Sequence, residues 1–333
     1  MISIKEVAEK AGVSVPTAYK VYDENYNTTE DVKQRVLCAA RELNYVHKSK
    51  QKKKGAEEGK IVAIVYNEQT NSFNNYITQA LSNELERFGH RLVVLHDDET
   101  IDQAEKNVKL IQDMGVDAMV FTPVSEEPQE AICRLIKSGF PLVQLFNTVY
   151  PELDTILFND ELGTYLATNY LLKSGHRKIM LASRTSRSEY IRRPGYCRAF
   201  EEMGLQVDDR FLFTLNYVNS VKQMVKEKIL KERPTAIIAV SETMCATVIL
   251  ALRELNLSVP EDVSLVSYDN YPWMEAYNIT AISHPIDKVG SIVARLLLDS
   301  FKERTAGTAL SPSKFMIDPS LILRDSVNFL HNT

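Results

Sequence analysis

Two stretches of this 333-residue sequence crowd together side chains suited to non-covalent recognition. Ser14, Thr17, Tyr19 and Lys20 put two hydroxyls, a phenol and a cation on one short segment, with Val15 and Pro16 among them. Lys48, Lys50, Lys52, Lys53 and Lys54 put five cations close together further on. Such groups donate hydrogen bonds and attract phosphate oxygens. Covalent chemistry finds no support: there is no Gly-x-Ser-x-Gly elbow, phosphate loop or dinucleotide fingerprint. The six histidines show no metal-ligand spacing, and Asp97 and Asp98 fall in an expected loop, where they read as solvated surface.

The first stretch needs a scaffold, and the flanking sequence supplies one. Ile4, Val7, Ala8 and Ala11 recur at i, i+3, i+4 and i+7, the period of a helix with one buried face. Ser3 is placed to cap that helix and Glu6 to close a capping box. Gly12 can take the positive φ of a tight turn, which Val13 plugs. Ser14 then caps a second helix, whose first turn tolerates Pro16 because no backbone N–H bond is lost there. Ala18 and Val21 face helix one, which leaves Val15, Pro16, Tyr19 and Lys20 on or near the outward side. Thr28 and Thr29 start a third helix with Val32, Val36, Ala40 and Leu43 inside. The spacing fits a helix-turn-helix unit, and it also fits any small three-helix module.

The residues themselves go further. Ile4-Lys-Glu-Val-Ala, Ala11-Gly-Val-Ser, Thr17 with Val21, and Arg41-Glu-Leu-Asn-Tyr45 closely resemble the amino-terminal signature of the LacI/GalR (lactose-repressor) family of bacterial transcription regulators. The resemblance implies that the second helix lies in the major groove of palindromic operator DNA. Its DNA-facing candidates are Ser14, Val15, Pro16, Thr17, Tyr19 and Lys20, with Val15 and Pro16 at the specificity positions. Lys20 stands where the family usually has a guanine-reading arginine, and a point charge should prefer guanine more loosely than a bidentate fork. Tyr19 replaces a small serine, which changes a phosphate contact or the docking angle.

Composition agrees with a two-part molecule. The chain is 44% hydrophobic and 25% charged, as in soluble globular proteins, and its net charge is −5. Residues 1–60 carry twelve Lys and Arg against nine Asp and Glu, whereas the remainder carries 27 against 35. A basic module is attached to an acidic body, as expected if only one end meets phosphate. No apolar run is long enough for a membrane span and no apolar leader precedes the first helix, so a cytoplasmic location is expected. Cys38, Cys133, Cys197 and Cys245 are expected to be buried free thiols.

From residue 61 onward, short apolar runs alternate with helix-length amphipathic segments. Expected strands are 61–66, 91–95, 117–122, 141–146, 178–182, 235–240, 263–268 and 279–283. Expected helices are 76–88, 103–114, 128–138, 163–173, 195–203, 221–231, 243–255 and 288–302. This alternation predicts parallel sheets covered by helices on both faces, split into two similar lobes. Leu172-Leu-Lys-Ser-Gly-His-Arg-Lys-Ile-Met180, Arg192-Arg-Pro-Gly-Tyr196, Val259 to Asp269, and His284-Pro285 resemble the family's core, which is similar to type I periplasmic binding proteins. The expected division is a helix-turn-helix domain at 1–46, a linker at 47–60 and a two-lobed core at 61–330. The amino lobe is expected to hold 61–159 and 285–313, and the carboxyl lobe 160–284 and 314–330.

The resemblance, together with the strand ends, places an effector in the cleft between the lobes. Arg192 stands at the family's ligand-gripping arginine and Asp269 at its carboxylate position; facing one cleft, they would give directional hydrogen bonds to hydroxyls or a charged group. Tyr217 stands where relatives stack an aromatic on a ring. Asn71 and Phe73 follow the first strand, and Asn147, Asp160, Ser241 and His284 complete the candidates. Two departures bear on the ligand: Ser241-Glu242 replaces a usual Asn-Asp, and Ser267-Tyr-Asp-Asn270 replaces Gly-Phe-Asp-Asp. The implied function is a homodimeric, ligand-responsive regulator, most commonly a repressor of carbohydrate-related genes, that needs no cofactor and binds a sugar or sugar derivative. The alternatives are a regulator of the same fold controlled by a partner protein, and a cytosolic solute-binding protein with no DNA role.

The linker departs most. Residues 46–60 hold the five lysines between Lys48 and Lys54, followed by Gly55 and Gly59, a composition suited both to a flexible tether and to a phosphate-tracking arm. In the family this stretch usually folds on DNA into a hinge helix whose leucine wedges into the minor groove, yet here it contains no Leu, Ile, Met or Phe. Without an apolar wedge the base step is not unstacked. The operator should therefore bend less sharply than with wedge-bearing relatives, as phased-bend gel mobility would measure.

Overall fold

In the computed structural model the described residues are 3–22, 28–43, 45, 59–66, 72–97, 101–123, 125–183, 186–215, 221–306 and 311–330. The chain separates into one unit over Met1–Glu58 and another over Gly59–Thr333. The linker lysines Lys48, Lys50, Lys52, Lys53 and Lys54 lie outside the described residues.

The small unit holds α1 (Ile4–Lys10), α2 (Val15–Val21) and α3 (Glu30–Glu42). Ser3 N–H donates to Glu6 Oε2 at 2.7 Å, and Gly12 takes φ 65° in the turn. Ile4, Val7, Ala8, Ala11, Ala18, Val36, Ala39 and Ala40 form the core. The short side chains let the helices approach closely. Val15 differs from the expected outward placement: it is half-buried and packs on this core. Val15, Ala18 and Val21, with Tyr22 just past the helix end, face the core, which leaves 16, 19 and 20 as the outer stripe of α2.

The large unit contains two six-stranded sheets. In chain order its elements are β1 (Ile61–Tyr66), α4 (Ser72–Arg87), β2 (Arg91–His96), α5 (Ile101–Met114), β3 (Ala118–Phe121), α6 (Glu130–Lys137), β4 (Leu142–Leu145) and β5 (Asp154–Phe158). Then follow α7 (Asp160–Lys173), β6 (Ile179–Ser183), α8 (Ser186–Glu202), β7 (Leu212–Thr214), α9 (Val221–Glu232), β8 (Ala236–Ala239) and α10 (Glu242–Glu254). The chain ends with β9 (Ser264–Tyr268), α11 (Pro272–Ala276), β10 (Thr280–Ser283), α12 (Ile286–Ala306), β11 (Lys314–Ile317) and β12 (Ser320–Ile322). Sheet order is β11-β5-β4-β3-β1-β2 in the first lobe and β12-β10-β9-β8-β6-β7 in the second. All pairings are parallel except β10 with β12. Central strands such as β3, β8 and β9 are buried throughout, which is why their sequences read as continuous apolar runs rather than alternating ones.

The chain passes between the sheets after β5, after β10 and after β11. The third passage corrects the expected boundary at 314: residues 314–317 form β11, whose Phe315 and Met316 register with Ile156 and Leu157 of the first sheet. Asp318 and Pro319 therefore make the crossing. Asn159 Nδ2 donates to Asp318 Oδ1 at 2.7 Å, so the first and third passages are clasped side by side. The four thiols also differ from expectation, for Cys38 is exposed, Cys133 and Cys197 are half-buried and only Cys245 is buried. Burial pushes the Cys245 thiol up to about 12.

The packing of α7 on α8 sets the site described next. A Cβ at Gly195 would fall 1.9 Å from the Glu161 carbonyl oxygen and 2.8 Å from Tyr165 N, so only glycine lets the two helices approach this closely. Arg192 and Arg198, one turn to either side of it, pair with Asp160 and Glu161 on α7. Gly195→Ala should force the helices apart and cost about 1–3 kcal/mol. Urea unfolding would measure the loss, and an unchanged midpoint would contradict this packing.

Candidate functional site

The outer stripe of α2 presents Pro16, Tyr19 and Lys20, all exposed, with Tyr19 50% exposed. Ser14 and Thr17 do local work as well: Thr17 N–H donates to Ser14 Oγ at 3.3 Å, and the two hydroxyls lie 2.7 Å apart. This bond satisfies one of the orphan donors at the start of α2 and holds the first turn rigid. A short, well-capped helix with an exposed aromatic and a cation on one stripe suits a DNA groove.

Between the lobes, the polar groups converge at the passages. Asp160 is the first residue of α7, where the helix dipole favours a carboxylate, and the preceding Asn159 caps the helix through Leu162 N–H. Arg192 Nε and Nη2 donate to Asp160 Oδ1 at 3.1 and 3.0 Å, and Nη1 donates to the Val240 carbonyl at 3.1 Å. Its guanidinium lies 4.0 Å from the Tyr268 ring centroid, a cation–π contact. Both charged side chains are only 16% exposed. Burial works against the Arg192 charge, but Asp160, Tyr268 and Asp269 outweigh it and hold the guanidinium above its ordinary value. It is a permanent cation.

Tyr268 explains one sequence departure. Where relatives carry phenylalanine, its hydroxyl donates to the Asp160 carbonyl at 3.0 Å. Burial, with the neighbouring Asp160 charge, pushes the phenol well above its usual value, so it remains a donor. Asp269 follows with φ 64°, a left-handed turn that redirects its carboxylate after β9. It accepts from the Tyr271 hydroxyl at 3.4 Å and lies 3.5 Å from His284 Nδ1.

His284 stands at the second passage with its side chain 2% exposed. Its ring meets Phe73 and Phe158 edge to face at 5.5 and 5.2 Å, and Tyr268 at 6.0 Å. Phe146 stacks on Phe158 at 5.0 Å and completes the aromatic wall. The imidazole thus touches side chains of both lobes, and neither ring nitrogen has a hydrogen-bond partner. A second inter-lobe contact joins Tyr76 of α4 to Tyr271, their rings 5.6 Å apart.

The sequence candidates thus separate. Phe73, Asp160, Arg192, Asp269 and His284 form one connected cluster. Asn147 stands slightly apart, its amide donating to the Pro123 carbonyl at 3.5 Å. Ser241 caps α10 by accepting from Met244 N–H at 3.2 Å, while Glu242 accepts the Trp273 indole N–H at 2.8 Å. Asn71 and Tyr217 lie outside the described residues. Sequence reasoning missed Phe146, Phe158, Tyr268 and Tyr271 as cleft groups. All four stand at or just beyond strand carboxyl ends, the rule that found Phe73, and they were findable by it. A depression of about 580 Å³ lies beside the cleft between α4 and the start of α12, and shares only His284 with the cluster.

A helix-turn-helix unit on a two-sheet core, with a polar cluster where the lobes meet, defines a DNA-binding transcription regulator. Residues 3–47 match the family model for bacterial regulatory proteins of the lacI family, and residues 59–318 match that for periplasmic binding proteins and the sugar binding domain of the LacI family. The chain belongs to the LacI family of bacterial transcription regulators. It is similar to the HTH-type transcriptional repressor PurR of Vibrio vulnificus, 26% identical over 98% of this chain and 99% of that protein. Its fold is that of the regulator CelR in its cellobiose complex, at a TM-score of 0.68 and 21% identity, covering 98% of this chain and 100% of the other. The lac repressor dimer bound to operator gives 0.67 at 20% identity, covering 98% and 99%. Among the described residues no helix is long and apolar enough to cross a membrane, and no cluster of ligating side chains is arranged to hold a metal.

The ion pair makes a strong demand. Asp160→Asn would keep the shape but leave Arg192 half-compensated in a largely buried site, at a cost of about 3 kcal/mol in stability. Chemical denaturation would show it, and the double variant Asp160→Asn with Arg192→Met should recover part of the loss.

Proposed function

We propose that this protein is a cytoplasmic, homodimeric repressor of carbohydrate-related genes. It grips or releases a palindromic operator according to the small molecule held between its lobes, a sugar or sugar derivative. The observation that carries this reading is the position of the cleft cluster. His284 is itself a passage residue, and Asp160 is adjacent to another, so a ligand touching them acts on the joints between lobes. Such a ligand shifts the lobes only by binding their two arrangements with different affinity. The named relatives agree: one is called a repressor, and another was solved with cellobiose. Two identical heads reading two half-sites favour a dimer on a palindrome.

On the DNA side, Ser14 and Thr17 hold the first turn of α2, while Pro16, Tyr19 and Lys20 meet the groove, with Val15 fixing their register. The lysines of the linker add salt-dependent attraction to phosphate.

The test is binding of the purified protein to labelled genomic fragments, its own upstream region included, with and without a carbohydrate panel and at two salt concentrations. Saturable binding to a palindrome, altered by one compound, supports the reading. Specific binding that no compound moves would favour a protein effector instead. On the palindrome, Lys20→Ala should cost about 1–3 kcal/mol, and Lys20→Arg should sharpen discrimination for guanine. Loss of affinity equal on specific and random DNA would show that Lys20 only touches phosphate.

A further inference from the structure

Among the described residues, the charged groups around the cleft do not balance. Asp160 is neutralised by Arg192, which spends donors from all three nitrogens on Asp160 and the Val240 carbonyl. Asp269 and Glu242 remain. Both act on Tyr271, whose phenol is raised by burial first and by these two carboxylates next, so they face the same region. Glu242 has only the neutral Trp273 indole as its donor, and Asp269 has the Tyr271 hydroxyl at 3.4 Å and His284 Nδ1 at 3.5 Å. Another described arginine of the second lobe, Arg324, is turned to the Asn270 side-chain oxygen and the Ile279 carbonyl. Among these described residues, then, one guanidinium faces three carboxylates: Arg192 is hydrogen-bonded to Asp160, feels the charge of Asp269 without bonding to it, and leaves Glu242 to the neutral indole.

Beside them stands His284, with both ring nitrogens unpartnered and its side chain 2% exposed. A buried polar group of that kind marks a place where a hydrogen-bonding partner is missing. It is framed by the faces and edges of Phe73, Phe158 and Tyr268.

We infer that the effector is a ring compound rich in hydrogen-bond donors and without negative charge, a neutral polyol or an amine, and that the site rejects phosphorylated and carboxylated analogues. The inference rests on the small-molecule reading above and names the chemical class within it. Hydroxyl or ammonium donors supply what Asp269 and His284 lack, an ammonium gains further from the aromatic wall, and an anion meets two carboxylates in a poorly solvated cleft. Repulsion of one added charge at such range weakens binding by at least about tenfold.

The experiment is titration of the full-length protein, followed by calorimetry, against a library of sugars, amino sugars and nucleosides together with their phosphates. Glucose, glucosamine and glucose 6-phosphate form one matched set, and ribose with ribose 5-phosphate another. The expected result is that every binder is neutral or an amine and that its phosphorylated counterpart binds at least about tenfold more weakly. Asp269→Asn and Glu242→Gln should each narrow that gap, with circular dichroism showing that both variants keep the fold. A phosphate that binds more tightly than its parent, or a gap unchanged in both variants, overturns the inference but leaves the small-molecule reading standing. If no library member binds, both fall.

Discussion

The Arg192–Asp160 pair is the constraint on which the cleft depends. A guanidinium and a carboxylate withdrawn from water lose hydration worth several kcal/mol each, and their attraction repays this only with good geometry and full hydrogen bonding. Both conditions recur along the α7–α8 contact. Asp160 sits at a helix amino terminus, Arg192 has a carbonyl and an aromatic face for its remaining surface, and Gly195 allows the helices close enough for the bond. Removing any of these leaves a charge stranded. The pair is better understood as fixing one arrangement of helices than as a large source of stability.

That arrangement matters because of where the chain passes between sheets. Three passages join two lobes that each have their own core, and the clasp from Asn159 to Asp318 ties two of them together. His284 occupies the remaining one. The covalent joints between the lobes are therefore a few residues, and they lie beside the clustered polar groups. A ligand bound there would shift a lobe equilibrium only by its difference in affinity for the two arrangements. Tyr76 on Tyr271 adds a further inter-lobe contact, and Tyr271 also reports to Asp269.

Much of this was legible in the sequence. The eight strands expected from apolar runs all exist within a residue or so at each end; most are central parallel strands that bury both faces and must be apolar, while β2, at a sheet edge, is apolar in sequence though largely unburied. The strands that escaped notice, β5, β7, β11 and β12, are short or stand at or near a sheet edge, and several of their residues are half-exposed. Short length and edge position weaken the hydrophobic signal. Helix α8 begins at Ser186 rather than 195, for Pro194-Gly195 looks like a helix start, yet Pro194 lies inside the helix. In the site, Arg192, Asp160, Asp269 and His284 could be named, but their pairing could not. Sequence suggested that Arg192 and Asp269 act together, whereas Arg192 directs two of its donors to one oxygen of Asp160, a choice set by the α7–α8 register rather than by any local pattern.

The departures from family pattern concentrate around one pair of helix starts and strand ends, and they compensate one another. Phenylalanine at 268 would leave the Asp160 carbonyl without the phenol it receives here, so the tyrosine strengthens the same helix start that carries the ion pair. At 242, replacing a shorter acid by glutamate extends the carboxylate to Trp273, which packs against the second-lobe core. The amide usually found at 241 has become a serine hydroxyl that serves the cap of α10. Two of these substitutions, Tyr268 and Ser241, turn a polar group towards the protein, while Glu242, held by the Trp273 indole, still faces Tyr271 together with Asp269. On the proposed reading, what is left for a ligand is Asp269, Glu242, His284 and an aromatic wall, a more acidic set than an amide-lined sugar site. Specificity in such a site comes from the penalty for leaving buried polar groups unpaired, which discriminates by charge and donor count more sharply than by ring size.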